Sequence, residues 1–238
     1  MKKAIVIVLV VVLLASNLLT GCGGVLTGSG NLETKQFNIS DFTRVDIGSA
    51  FEFEIVQSGS YSVSITTDDN LFEHIRVSKE GETLKIGLKA VRLQWPATLK
   101  AVVTMPQISG LEISGASKGT VSNFDSKDNL DAEVSGASSL ELVDISAGDI
   151  KLNASGASKV IGDISGGSMN FDVSGASTVQ LEGSANNIIA KVGGASTGTV
   201  NLSGQLDADL SGASKLEYVG EPTMGTINTS GASTLGKK

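Results

Sequence analysis

Seven copies of one phrase organise the chain: Ser114-Gly115-Ala116-Ser117, Ser135-Gly136-Ala137-Ser138, Ser155-Gly156-Ala157-Ser158, Ser174-Gly175-Ala176-Ser177, Gly193-Gly194-Ala195-Ser196, Ser211-Gly212-Ala213-Ser214 and Ser230-Gly231-Ala232-Ser233. Successive copies begin 21, 20, 19, 19, 18 and 19 residues apart. A period fixed near twenty is the mark of a solenoid, in which each repeat forms one coil stacked on the last. The residues one, three and five before the phrase are usually apolar, as in Leu130, Ala132 and Val134, or Met169, Phe171 and Val173. Alternation resumes after it at Leu140 and Leu142, at Val179 and Leu181, and at Leu216 and Tyr218. A period of two means strand, whereas helical repeats need apolar steps of three and four and fewer glycines.

The expected fold is therefore all-β, a parallel β-helix of about seven coils over residues 110–238. Each coil holds two strands, with a third short one as at Ile161 to Ile164. At a strand spacing of ~4.8 Å the coils extend ~34 Å. Within the phrase, Gly is expected to adopt the left-handed corner and Ala to turn into the core. Ser117, Ser138, Ser158, Ser177, Ser196, Ser214 and Ser233 are expected to stack as a hydroxyl ladder that satisfies corner backbone groups, or alternatively faces a ligand.

Outward from the repeats, residues 33–109 also read as strands: Phe51-Glu-Phe-Glu-Ile-Val, Tyr61-Ser-Val-Ser-Ile-Thr, Thr83-Leu-Lys-Ile-Gly-Leu and Leu99-Lys-Ala-Val-Val-Thr alternate between turn-forming segments. With no long linker before the coils, residues 33–238 form one body whose N-terminal strands cover the first coil edge, because a bare edge invites association.

The first residues read as an address. Lys2 and Lys3 precede an apolar run from Ala4 to Ala15, shorter than the ~20 residues that span a bilayer, so residues 1–21 are expected to be a cleaved signal peptide. Leu19-Thr20-Gly21-Cys22 resembles the lipobox of bacterial lipoproteins, which implies lipid on Cys22. The chain has one cysteine, so no internal disulfide competes for it. Residues 22–32, rich in Gly and Ser, form a flexible tether with a reach of ~35 Å. Removing Lys2 and Lys3 leaves 16 basic and 25 acidic residues, a net charge of −9. That excludes nucleic acid as a partner and leaves lipid as the link to the membrane.

The search for chemistry finds little. One histidine, His74, reads as a turn residue and excludes a His-rich metal cluster. No phosphate-binding Gly-rich loop and no nucleophile elbow occur. Glu112, Glu133, Asn153, Asp172, Lys191, Asp209 and Asn228, two residues before each phrase, should stack on an outer face with Asp131 and Asp207 beside them. Solvation, cation binding and paired-carboxylate hydrolysis are the readings open to that row. Carbohydrate-stacking aromatics are few, with Phe124, Phe171 and Tyr218 in the repeats and Trp95 before them. No catalytic, metal or cofactor residue is assigned, and no cofactor is expected.

Phe42-Thr-Arg-Val, Asp69-Asn-Leu and Met105-Pro, followed by Ser-Gly-Ala-Ser coils behind a lipobox, resemble the head GIN domain family of auto-transporter adhesin-like proteins. The resemblance covers nearly the whole mature chain and implies a β-helical fold at the cell envelope, outer-membrane in a Gram-negative source. It supplies no catalytic residues. Three functions stay open: a non-enzymatic adhesin or surface-interaction lipoprotein that meets a surface glycan or envelope protein; a structural envelope-assembly protein with a protein partner; and a polysaccharide-active β-helix enzyme. A groove lined by converging Asp, Arg and Lys would favour the enzyme, and a flat face of aligned Ser and acidic rows would favour binding.

Overall fold

The computed structural model describes residues 25–89, 92–94, 96–202 and 204–238. Cys22, with Leu19, Thr20 and Gly21 of the lipobox, the signal peptide and Trp95 lie outside them.

The N-terminal section comprises β1 (Val25–Thr27), β2 (Leu32–Phe37), β3 (Arg44–Ile47), β4 (Glu52–Gln57), β5 (Ser62–Asp68), a 3-10 turn (Asp69–His74), β6 (Ile75–Glu80), β7 (Thr83–Leu88), β8 (Arg92–Gln94) and β9 (Leu99–Met105). The coils follow as β10 (Gly110–Ile113), β11 (Lys118–Ser122), β12 (Leu130–Val134), β13 (Ser139–Ser146), β14 (Ile150–Ala154), β15 (Lys159–Val173), β16 (Thr178–Val192), β17 (Thr197–Leu202), β18 (Gln205–Leu210), β19 (Lys215–Gly220), β20 (Thr223–Thr229) and β21 (Thr234–Lys237).

Two parallel walls result. Segments before each phrase stack in register from β10 through β12, β14, the second halves of β15 and β16, then β18 and β20. Segments after it stack from β11 through β13, the first halves of β15 and β16, then β17, β19 and β21. This is the expected β-solenoid. The short third strand anticipated at Ile161 to Ile164 is instead part of β15, which runs unbroken from one wall into the next, as β16 also does.

Each phrase turns the corner between the walls. All seven phrase glycines have positive φ, from +71° at Gly231 to +82° at Gly115, the region open to glycine because it lacks Cβ. The next residue departs from expectation: the phrase alanines are exposed, and the serines from Ser117 to Ser214 are buried. The left-handed glycine breaks the inward–outward alternation. It leaves the Ala N–H stacked on the preceding coil, as in Ala157 N–H to the Gly136 carbonyl at 2.8 Å, and its methyl in solvent. The inward position then meets backbone carbonyls and takes a donor: Ser117 Oγ donates to its own corner's Ser114 carbonyl at 2.9 Å, and Ser214 Oγ to the Val192 carbonyl at 2.8 Å. From Ser117 to Ser214 the serine ladder therefore points into the scaffold.

One coil precedes those that the phrase announces. β3 and β4 flank Gly48-Ser49-Ala50-Phe51 and pair in parallel with β10 and β11. On the other side of this coil lie β7 and β9, which pair in parallel with β3 and β4 although they come later in the chain. Antiparallel strands close the end: β6 on β7, β5 on β9 and β2 on β5. A coil edge that would continue as parallel β-sheet is thereby covered by strands of opposite direction, and β2, the outermost, is mostly exposed. The apolar core is continuous from Phe42 to Leu216. Phe171, fully buried, faces small neighbours in Ala190 of the next coil and Gly198, where an added Cβ would touch its ring at 3.8 Å.

Candidate functional site

Along the outer side of the first wall, register aligns Arg44, Gly110, Asp131, Lys151, Asn170, Ile189 and Asp207. A second row, six residues before the second to sixth phrases, stands at the corner where the chain re-enters this wall: Asn129, Asp149, Ser168, Asn187 and Gln205. Between the rows lies a groove of about 760 Å³. Six ladder steps separate Arg44 from Asp207, which makes it ~29 Å long, running across the strands and parallel to the solenoid axis.

The corner row is held by the backbone of the next coil. Asn129 Oδ1 accepts the Asp149 N–H at 2.9 Å, Asp149 Oδ1 accepts the Ser168 N–H at 2.9 Å, and Asn187 Oδ1 accepts the Gln205 N–H at 3.4 Å. These three oxygens are therefore used by the scaffold. The amide nitrogens of Asn129 and Asn187 have no protein acceptor among the described residues and remain donors at the groove. Ile189, 47% exposed, is an apolar patch among these polar groups.

The charged end is built by a close approach. Arg44 lies across Gly110, where an added Cβ would sit 2.2 Å from the guanidinium carbon. It thereby reaches Asp131 two coils along, Nη2 to Oδ2 3.8 Å, while Lys151 Nζ approaches Asp131 Oδ1 from the other side at 3.8 Å. All three side chains are well exposed, so the pairs add little stability.

Asp, Arg and Lys do converge here, the pattern set out above as favouring an enzyme. Each of these carboxylates has partners in the protein. Asp131 is shared by two cations, Asp149 accepts a backbone N–H, and Asp207 accepts the Thr226 N–H at 2.7 Å and Gln205 Nε2 at 2.8 Å. Asp131 and Asp207 stand four ladder steps apart, ~19 Å, and Asp149 lies one coil beyond Asp131 in the same groove.

The other expected residues fall as follows. Glu112, Glu133, Asn153, Asp172, Lys191, Asp209 and Asn228 do stack in one outer row. The row extends into the N-terminal section through Asp46 and Lys85. Burial raises the Asp46 pKa, with Lys85 pulling it back, and Lys85 is itself raised chiefly by its hydrogen bond to Glu80, 2.8 Å away. Among the described residues no group of three or more His, Cys, Asp or Glu could hold a metal ion. His74 closes the 3-10 turn with Nε2 3.3 Å from Glu73. Phe124 and Phe171 are core residues, and Tyr218 packs partly buried against the core.

Sequence reasoning found Asp131 and Asp207 but missed Arg44, Lys151 and the corner row. A recurring polar residue six before the phrase was a signal that could have found the corner row.

Fold and groove together define a class: a parallel β-solenoid, capped at its N-terminal end, carrying a polar axial groove on one wall. The chain belongs to the family described as "Putative auto-transporter adhesin, head GIN domain", whose model matches residues 41–222. No curated protein matches. Among solved structures, one described as a "putative adhesin" from Bacteroides fragilis NCTC 9343 is 22% identical, with a TM-score of 0.83, covering 90% of this chain and 100% of that one. A "putative lipid binding protein" from Parabacteroides distasonis ATCC 8503 is 21% identical, with a TM-score of 0.73 and coverage of 90% and 100%. A "putative adhesin" from Parabacteroides merdae ATCC 43184 is 18% identical, with a TM-score of 0.70 and coverage of 90% and 98%. These likenesses establish the fold.

Proposed function

We propose that the chain is a non-enzymatic adhesion module of the bacterial cell envelope, anchored by lipid on Cys22 and engaging its ligand through the axial groove. The observation that carries this reading is the groove itself: an extended surface with free amide donors, whose carboxylates are committed to backbone N–H groups or cations. Such a surface can hold an extended ligand along its length. The adhesin-like family is consistent with an exported or surface protein.

The described part of the leader favours a particular display. Val25–Thr27 pairs with β8, Ser29 Oγ donates to Asp69 at 2.5 Å, and the Gly30 N–H donates to Asp68 at 2.7 Å. The chain is thus held to the capped end from about Thr27 onward, in place of the free tether expected through residue 32. Five residues from Cys22 span at most ~18 Å, so an acylated Cys22 keeps the capped end near the bilayer and lets the coils project.

Fractionation tests the anchor. Wild-type protein is expected in the membrane fraction and Cys22→Ser in the soluble exported fraction; retention of the variant in detergent-free membranes would refute lipid anchoring. A ~0.8 kcal/mol gain per buried CH₂ makes the difference large for an anchor of more than one acyl chain.

A further inference from the structure

We infer that the axial groove binds an uncharged oligosaccharide in extended form, aligned with the solenoid axis. This rests on the groove as the ligand-binding surface and adds the chemical class of the ligand.

Three features of the groove select that class. Its shape comes first: ~29 Å of length with one row of side chains every ~4.8 Å suits a linear chain with a short repeat, not a compact small molecule. Its charge comes second. Arg44 and Lys151 stand against Asp131, Asp149 and Asp207 in the same groove, so a polyanion meets three carboxylates and a polycation meets two fixed cations. An uncharged ligand meets neither penalty.

Its hydrogen-bonding chemistry comes third. The scaffold uses Asn129 Oδ1 and Asn187 Oδ1, while their amide nitrogens are left as donors beside exposed Asn170. Hydroxyl-rich ligands accept and donate at such groups. The half-exposed Ile189 offers an apolar contact of the kind a sugar ring presents on its C–H face. Asn129, held by a 2.9 Å backbone hydrogen bond, is oriented before the ligand arrives, which reduces the entropy lost on binding, and Asn187 is held more loosely at 3.4 Å.

The test separates the donors from the scaffold. Asn187→Asp keeps an oxygen to accept the Gln205 N–H but removes the amide donor and adds a charge; Ile189→Ser removes an exposed apolar group. Neither disturbs the core. The full chain, purified in detergent, is titrated calorimetrically with linear gluco-, manno-, xylo- and N-acetylglucosamine hexasaccharides, their disaccharides and an oligogalacturonate. At least one neutral hexasaccharide is expected to bind saturably, its disaccharide at least tenfold more weakly. Asn187→Asp and Ile189→Ser should each raise Kd at least tenfold, whereas Gln180→Asp on the opposite wall leaves it unchanged. The inference is overturned if no neutral hexasaccharide binds, if the groove variants bind as wild type does, or if oligogalacturonate binds instead with salt-dependent affinity. A groove-dependent protein partner without glycan binding would also overturn it while leaving the adhesion reading intact, and membrane fractionation reports on the anchor independently.

Discussion

The first coil and the seven that follow trace the same corner with different residues. In the repeats a left-handed glycine makes the turn and a buried serine follows it. At Gly48-Ser49-Ala50-Phe51 the positive φ falls on Ser49 at 66° and Ala50 at 61°, and a fully buried Phe51 takes the inward position. Stacking explains both solutions. A coil between two like coils must leave room for a neighbour's backbone: a Cβ on Gly156 would lie 2.5 Å from the Gly136 carbonyl oxygen. The first coil faces the cap on one side, where Ser49 Oγ accepts the Leu88 N–H at 3.2 Å and the irregular turn has a partner of its own. Repetition therefore imposes the phrase, and its absence marks where the solenoid meets its cap.

The largest test of that contrast is Phe51→Ser, which writes the repeat's inward residue into the first coil. If Phe51 works as an apolar plug, the loss is about 3–5 kcal/mol, as for other buried aromatic truncations. Chemical denaturation measures it, and a loss below ~1 kcal/mol would mean that serine serves equally well at both kinds of corner. Gly156→Val attacks the other side. The left-handed backbone and the close Gly136 carbonyl together should cost about 2–4 kcal/mol, and an unchanged midpoint would remove stacking as the reason for the phrase.

Within the ladder itself the expected effects are smaller and opposite in sign. Ser214 Oγ makes a 2.8 Å bond to a carbonyl, so Ser214→Ala should cost about 1 kcal/mol. Ser138 Oγ is buried without a partner among the described residues, so Ser138→Ala should be neutral or stabilising by up to about 1 kcal/mol. Equal losses at the two positions would show a ladder bonded as a unit.

The repeats were legible because stacking like on like forces the same residue to recur, and the register pairs confirm the period read from the phrase. The direction of Ala116 and its equivalents was misread because period-two alternation does not pass through a left-handed corner. The first coil was hidden for a different reason: the cap strands β5 to β9 are inserted in the chain between β4 and β10, although β3 and β4 stack directly on β10 and β11. That same insertion concealed half of the groove. Arg44 reaches Asp131 only because β3 lies beside β10, an adjacency no local pattern announces. The corner row, by contrast, was available to anyone aligning the coils six residues before the phrase.

The smallest global effect belongs to the cap, where one buried carboxylate helps to hold the leader. Asp68, 4% exposed, accepts the Thr98 N–H at 3.0 Å and the Gly30 N–H at 2.7 Å. The Thr98 bond, opposed by burial and aided by Gly30, holds its pKa below the ordinary carboxylate value. A depressed folded-state pKa contributes stability that is present above the unfolded value and lost as pH falls through the folded one. Protection of residues 25–31 should therefore be constant from neutral pH down to the ordinary carboxylate range and disappear only at more acid pH, while the coils stay folded. Hydrogen exchange of this segment measures it. Asp68→Asn keeps one acceptor but turns a donor toward the second N–H, so it should lower the protection of the leader already at pH 7. Protection that ignores both pH and this substitution would assign the hold to the β1–β8 pairing, and the capped end would then keep its place near the bilayer without Asp68.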